Sequence, residues 1–249
     1  MNTLKKVFRK ALPLVFWLAV WAVCYRAVGQ DLLLASPLQV ARRFDFLGDA
    51  VFWRCVGMSL VRTAGAYALG VAAGVALAAA SCVSALAEDI IRPAMAVVRA
   101  TPVASFIILA LVWLSAANVP ILAGMLMVAP VVYANVREGV SSTDPQLLEM
   151  ARMFSFSRWK TVRRVIVPSV MPTFLAACEA CVGLCFKATI AAEVIGVPKN
   201  AVGTQLYHAK IYLETDALMA WTLVVILLSM ALERLLKAAI ERGRRRDHA

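Results

Sequence analysis

Long apolar runs alternate with short polar stretches along the whole chain, and the runs have the length of membrane spans. About 20 consecutive apolar residues cross a bilayer as a helix. On that measure the pattern predicts about six spans, near 11–28, 60–83, 103–116, 120–136, 170–192 and 217–240. The third and fourth are short, with a tight turn at Ala117-Asn118 between them. The expected fold is all-α, a polytopic transmembrane helical bundle forming one domain over 1–249.

The polar stretches predict what joins the spans. Ser36-Pro37 reads as a helix start, with a short amphipathic helix over 37–54 on the outer surface. Residues 88–102 read as a polar connection containing Arg92-Pro93 and Arg99-Ala100-Thr101-Pro102, and 193–214 as a loop with Gly196, Pro198 and Gly203. The longest polar stretch is 137–168. In it Asp144 is an N-cap, with Pro145 at the first helical position. Leu147, Leu148, Ala151 and Phe154 recur at helical spacing, predicting a short amphipathic helix. Ser155 or Ser157 ends it and caps a second helix, which Pro168 is expected to close. In span two, Gly70 and Gly74 form a GxxxG pair, which lets two helix backbones approach closely in lipid.

Composition supports lipid as the solvent. Hydrophobic residues make up 62% of the 249 and charged residues 16%, whereas a soluble domain has about a quarter charged. The net charge of +11 would point to nucleic acid in a soluble protein. Here it is read through the distribution of Lys and Arg, which accumulate on the cytoplasmic side, and no nucleic-acid partner is expected. With both termini inside, the inner segments hold about 18 of the 26 Lys and Arg and the outer ones about seven. The start, MNTLKKVFRK followed by an apolar run, lacks a small-residue cleavage site and reads as a retained signal-anchor helix.

Candidate chemistry is sparse. Cys178, Cys181 and Cys185 share one helical face, but no His or Asp lies in that stretch, so they read as packing residues and no metal site is expected. Only His208 and His248 are present, and no nucleophile–base pattern is found, which argues against an enzyme. No G-x-x-x-x-G-K-[ST] loop occurs, so the chain binds no ATP through a P-loop of its own.

Charges inside spans are costly and usually face a water-filled path or a partner. Span five carries Glu179 and Lys187, with Glu193 at its outer end. They are the candidate translocation-pathway residues, with Lys187 drawing in an anionic or carbonyl-bearing substrate. The alternative for Lys187 is a structural ion pair, with Glu193 or with Glu179 of a second protomer. Arg62, near the outer end of span two, is expected to snorkel to the interface. The helix pair in 137–168 either docks onto a soluble partner or rests on lipid headgroups.

At that segment the chain resembles a known family. Importers of the ABC class carry a cytoplasmic "EAA" motif: Glu-Ala-Ala, three residues, Gly, nine residues, Ile-x-Leu-Pro. This chain has Glu149-Met150-Ala151, then Ser155, then Val165-Ile166-Val167-Pro168 at the same spacing. Met150 replaces Ala, and Ser155 replaces a Gly of the kind favoured where a turn needs positive φ. LLASPLQVARRF (33–44), SLVRTAGAYALGVAAGVAL (59–77), RATPVASFIILALVWL (99–114) and KATIAAEVIG (187–196) resemble further segments of the nitrate/sulfonate/taurine branch.

The resemblance implies the type I ABC importer permease fold in the bacterial inner membrane. Two permease copies, a homodimer in the simplest case, form the pathway for a small anion such as a sulfonate, taurine or nitrate. An ATPase dimer holding ATP and Mg docks below, and an extracytoplasmic binding protein delivers the solute. This chain would bind no cofactor itself. Glu149, Met150, Ala151, Ser155, Arg158 and Trp159 would lie at the ATPase contact, with Arg158, Lys160, Arg163 and Arg164 meeting the ATPase or anionic lipid. The readings from other classes are a secondary transporter and a membrane scaffold that recruits a soluble partner.

Overall fold

The computed structural model describes residues 2–247, and every regular element among them is helical. The order is α1 (Asn2–Val28), α2 (Pro37–Arg42), a 3₁₀ stretch (Arg43–Gly48), α3 (Ala50–Val83), α4 (Ala85–Ala100) and α5 (Val103–Trp113). There follow α6 (Val119–Ser141), α7 (Pro145–Met153), α8 (Arg158–Thr161), a π turn (Val162–Ile166), α9 (Val167–Gly196), α10 (Val202–Ile211) and α11 (Thr215–Asp247).

The centre is a tight three-helix packing of α3, α6 and α9, made possible by small residues. A Cβ added at Gly70 would stand 2.6 Å from the Val128 Cβ of α6, and one at Gly74 would stand 2.8 Å from the Ala129 carbonyl. The GxxxG pair therefore does what its spacing predicted. Gly124 of α6 is pressed in the same way between Ala66 of α3 and Thr189 of α9. In lipid no hydrophobic force drives helices together, so such close backbone contact supplies the dispersion energy that holds them. Cys181 and Cys185 pack in this core with Ala66, Val128 and Val132, and the Cys178 carbonyl accepts the Tyr67 hydroxyl at 3.0 Å.

A second core joins the start of α3, the end of α9, α10 and α11 through Phe52, Val56, Phe186, Ile190, Val202 and Trp221. Trp221 stacks on Phe46 with ring centroids 4.9 Å apart. α2 closes over α11 through Val40 and Ala220, and the Trp21 indole N–H donates to the Ala35 carbonyl at 3.0 Å.

Among the described residues, three helical stretches are long and apolar enough to cross a membrane: α3, α6 and the continuous run Arg158–Gly196. A fourth is reached if α4 and α5, bent by 105°, form one broken span. The count of six is thus not reached by length and apolarity among the described residues. The expected third span is α5, whose 11 residues rise only about 17 Å against a hydrocarbon core of about 30 Å. The apolar part of α1 over Val15–Val28 is also short. The bend follows from Pro102, which keeps Thr101 extended at φ −73°, ψ 129°.

Several connections are more ordered than the polar pattern predicted. Residues 37–54 form no single helix: α2 passes into the 3₁₀ stretch, and α3 begins at Ala50. Ser36 does start α2, through a capping box with Gln39. The stretch 88–102 is mostly α4, an amphipathic helix capped by Ser84. The loop expected over 193–214 contains the last turn of α9 and all of α10. Pro168 does not close a helix. Val167 donates its N–H five residues back to the Val162 carbonyl, and this widened π turn accommodates a proline ring that would otherwise crowd the carbonyl four residues before it.

Candidate functional site

The 137–168 segment folds into a compact helix–turn–helix at the end of α6. The Asp144 carboxylate accepts the Gln146 N–H at 2.8 Å, so α7 is capped as its sequence predicted. Ala151 is buried, and it fixes the inner face of α7 against the chain that follows. The outer face is open. Glu149, Met150, Arg152, Met153 and Phe154 are all exposed, Met153 to 85% and Phe154 to 69%. Large apolar side chains left uncovered on one short helix form a surface suited to a partner or to lipid headgroups.

The chain then reverses through a Schellman motif. Phe156 donates its N–H to the Ala151 carbonyl at 2.9 Å, and Ser155 donates to Arg152 at 2.9 Å. This motif puts one residue in the left-handed region, and that residue is Ser155 at φ 51°. The serine occupies the motif's glycine position and adopts the backbone that glycine takes there. Ser157 caps α8 by accepting the Lys160 N–H at 3.4 Å. The Lys160 ammonium lies 4.1 Å from the Phe156 ring centroid, Trp159 is 73% exposed, and Arg158, Arg163 and Arg164 are exposed around them.

The charges of α9 separate into two kinds. Glu193, a candidate pathway residue, is fully enclosed. It accepts Arg62 at 3.1 Å, the Ser59 hydroxyl at 2.7 Å and the Gly203 N–H at 3.2 Å. Ser59 in turn accepts the Val202 N–H at 3.0 Å, and Arg62 donates to the Lys199 and Asn200 carbonyls at 3.0 and 3.3 Å. One turn of α3 thus grips the end of α9 and the whole connection to α10. Gly203 must be glycine, because a Cβ there would run into the Glu193 side chain and stand 2.7 Å from the Val194 nitrogen.

One expectation is corrected by this cluster. Arg62 does not snorkel: it is buried, paired with Glu193 and donating to the Lys199 and Asn200 carbonyls. Glu193 is enclosed and paired with Arg62 at 3.1 Å, and no ion pair joins it to Lys187 among the described residues. Sequence reasoning missed Ser59 as a member. The available signal was Ser59 and Arg62 one turn apart on a span, opposite in character to a lone glutamate on another.

Lys187 is exposed and Glu179 half-buried, and neither forms an ion pair among the described residues. With Gly183 they fall at i, i+4 and i+8 on α9. The Glu233 carboxylate of α11, also unforeseen, lies directly against Gly183.

A family model described as the binding-protein-dependent transport system inner membrane component matches residues 66–246. The chain belongs to this family. The permease is 25% identical over 236 residues to the taurine transport system permease protein TauC of Escherichia coli (strain K12), covering 92% of this chain and 84% of that one. It is 24% identical over 216 residues to the putative aliphatic sulfonates transport permease protein SsuC of Bacillus subtilis (strain 168), covering 86% and 78%. Those two relatives are named for the transport of taurine and of aliphatic sulfonates. The crystal structure of an amino acid ABC transporter with histidines superposes with a TM-score of 0.66 at 20% identity, over 77% of this chain and 94% of the other. The fold is therefore that of an ABC importer permease, a multi-pass component of the inner membrane.

Proposed function

We propose that this permease carries a small sulfonate, of the taurine type, across the membrane, and that α7 is the helix through which an ATPase partner drives it. The observation that carries the reading is α7 itself: a capped helix anchored by Ala151, presenting Met150, Met153 and Phe154 outward. A groove on a soluble partner would cover those side chains, and Glu149 would set the polar edge of the contact. ATP and Mg belong to that partner; this chain supplies the lever. The exposed Trp159 and Arg158 extend the contact beyond the turn.

A second copy of the permease completes the pathway in this reading, and an extracytoplasmic binding protein delivers the solute. Both termini lie in the cytoplasm, as the Lys and Arg bias favours. Lys187 is the residue of α9 that offers a positive charge to the passing anion, and Glu179 lies two turns away on the same helix. The relatives' names support sulfonates as the solute class.

The test is uptake of labelled taurine and ethanesulfonate into proteoliposomes holding the permease with the ATPase and binding protein encoded beside it. ATP-dependent uptake of either, reduced at least tenfold by Lys187→Met, is the expected outcome. Uptake of neither, or uptake indifferent to ATP, contradicts the proposal. Uptake with the lysine variant unchanged removes Lys187 from the path.

A further inference from the structure

A cavity of about 390 Å³ lies between α4 and α6, lined by none of the α9 charges and none of the exposed α7 residues. It falls at the small end of ligand sites, which run from about 300 to 1,000 Å³. Its walls are unusual for a membrane helix pair. Arg92 and Arg99 enter from α4, and Arg137, Tyr133 and Glu138 from α6. Arg92 and Arg99 are two turns apart on the same face of α4, and neither has an ion-pair partner among the described residues. Arg137 is neutralised by Glu88.

Arg92 and Arg99 are both exposed, so their guanidiniums are open to an anion from solution or from a headgroup. Here they face a cavity. Their planar forks match the paired oxygens of a sulfonate, sulfate or phosphate, as they do those of a carboxylate. The buried Tyr133 hydroxyl adds a further polar atom. It sits 3.2 Å from the Ser81 hydroxyl; when Ser81 donates in that pair, the tyrosine proton is free for an anion. Glu138 is the opposing charge and sets a limit on affinity.

We propose that this cavity is an oxyanion-binding site, with Arg92 and Arg99 as its principal ligands. The same chemistry serves a free sulfonate or phosphate and the phosphate of a lipid headgroup. Ser141, at the last turn of α6, also lines the cavity, so a bound anion would tie α4 to the helix end from which α7 departs. On the importer reading this is the cytoplasmic side, and a sulfonate would meet the site after passage; the oxyanion chemistry itself does not depend on that reading.

The test is calorimetric titration of the full chain in phosphatidylcholine nanodiscs with ethanesulfonate and with inorganic phosphate. Binding of at least one anion is expected, weakened at least tenfold in Arg92→Gln/Arg99→Gln and less in Arg92→Lys/Arg99→Lys. Glu138→Gln should tighten it severalfold. Helical circular dichroism and a single size-exclusion peak confirm that each variant is folded. Repeating the titration with phosphatidylglycerol in the disc separates the sources. Loss of anion binding there, through competition at the same two arginines, assigns the site to a headgroup; unchanged binding assigns it to a soluble anion. No binding of either probe, or binding indifferent to the glutamine pair, overturns the proposal. A permease that takes up taurine yet binds neither probe loses this site and keeps the importer reading, and one that binds but transports nothing does the reverse.

Discussion

The two ends of the helical run Arg158–Gly196 are built on the same local device and put to opposite use. Before it, α7 stops at Ser155 with φ 51°; at its far end, α9 stops at Val197 with φ 49°. Both residues sit in the left-handed region that favours glycine, at a cost of roughly 1–2 kcal/mol each. Around Val197 the buried charge and the following carbonyls are consumed internally: Glu193 by Ser59, Arg62 and Gly203, and the Lys199 and Asn200 carbonyls by Arg62. Around Ser155 almost nothing is consumed, and the apolar side chains beside it stand in solvent. A strained turn wrapped in buried charge is a clamp; the same turn left open is, on the proposed function, what aims a surface at a partner.

The comparison breaks most sharply at the clamp. Removing one partner of a buried ion pair leaves the other uncompensated and costs about 3–5 kcal/mol. Glu193→Ala or Arg62→Ala should therefore lower stability by that amount in detergent unfolding. The double variant Arg62→Met/Glu193→Met should recover much of it, since the stranded charge is gone. Equal losses in the single and double variants would show that the pair acts through something other than its charges.

Gly203→Ala should cost about 1–3 kcal/mol, as expected for forcing an atom into a filled space, because its Cβ meets Glu193 and the Val194 backbone. Measured by the same unfolding, a neutral result would mean that the α9–α10 connection moves aside freely. The smallest effect belongs to the open end. Ser155→Gly should stabilise by about 1 kcal/mol, by relieving a left-handed serine, and should leave the α7 surface unchanged. A loss of stability would mean that the serine side chain makes a contact worth more than the strain.

Legibility in the sequence divided along the same line. The α7 end was readable because its determinants are local: an Asp-Pro cap, apolar residues at helical spacing, and a turn residue at a fixed offset. The clamp was not, because it joins Ser59 and Arg62 to Glu193 across more than 130 positions, and Arg62 alone looks like any interfacial arginine. The GxxxG glycines were read correctly as a packing face, since small residues at that spacing have one main use in lipid. Pro168 misled because a proline usually ends a helix, and nothing local announces that a π turn will absorb it. Among the described residues, length and apolarity reach three spans, or four with α4 and α5 as one, because α5 is too short to cross alone. Helix α4 was read as a polar connection because its charges hid an amphipathic pattern.

The central claim is that α7 couples this permease to an ATPase, and it is tested most directly by co-purification. The tagged chain, expressed with its genomic neighbours, should bring down a P-loop ATPase whose activity rises with the loaded binding protein. Glu149→Arg sits on an exposed position, so folding should change by no more than about 0.5 kcal/mol, while ATPase binding or stimulation should be lost. A complex that forms and hydrolyses ATP normally with Arg at position 149, or a permease that purifies with no ATPase at all, would contradict the account.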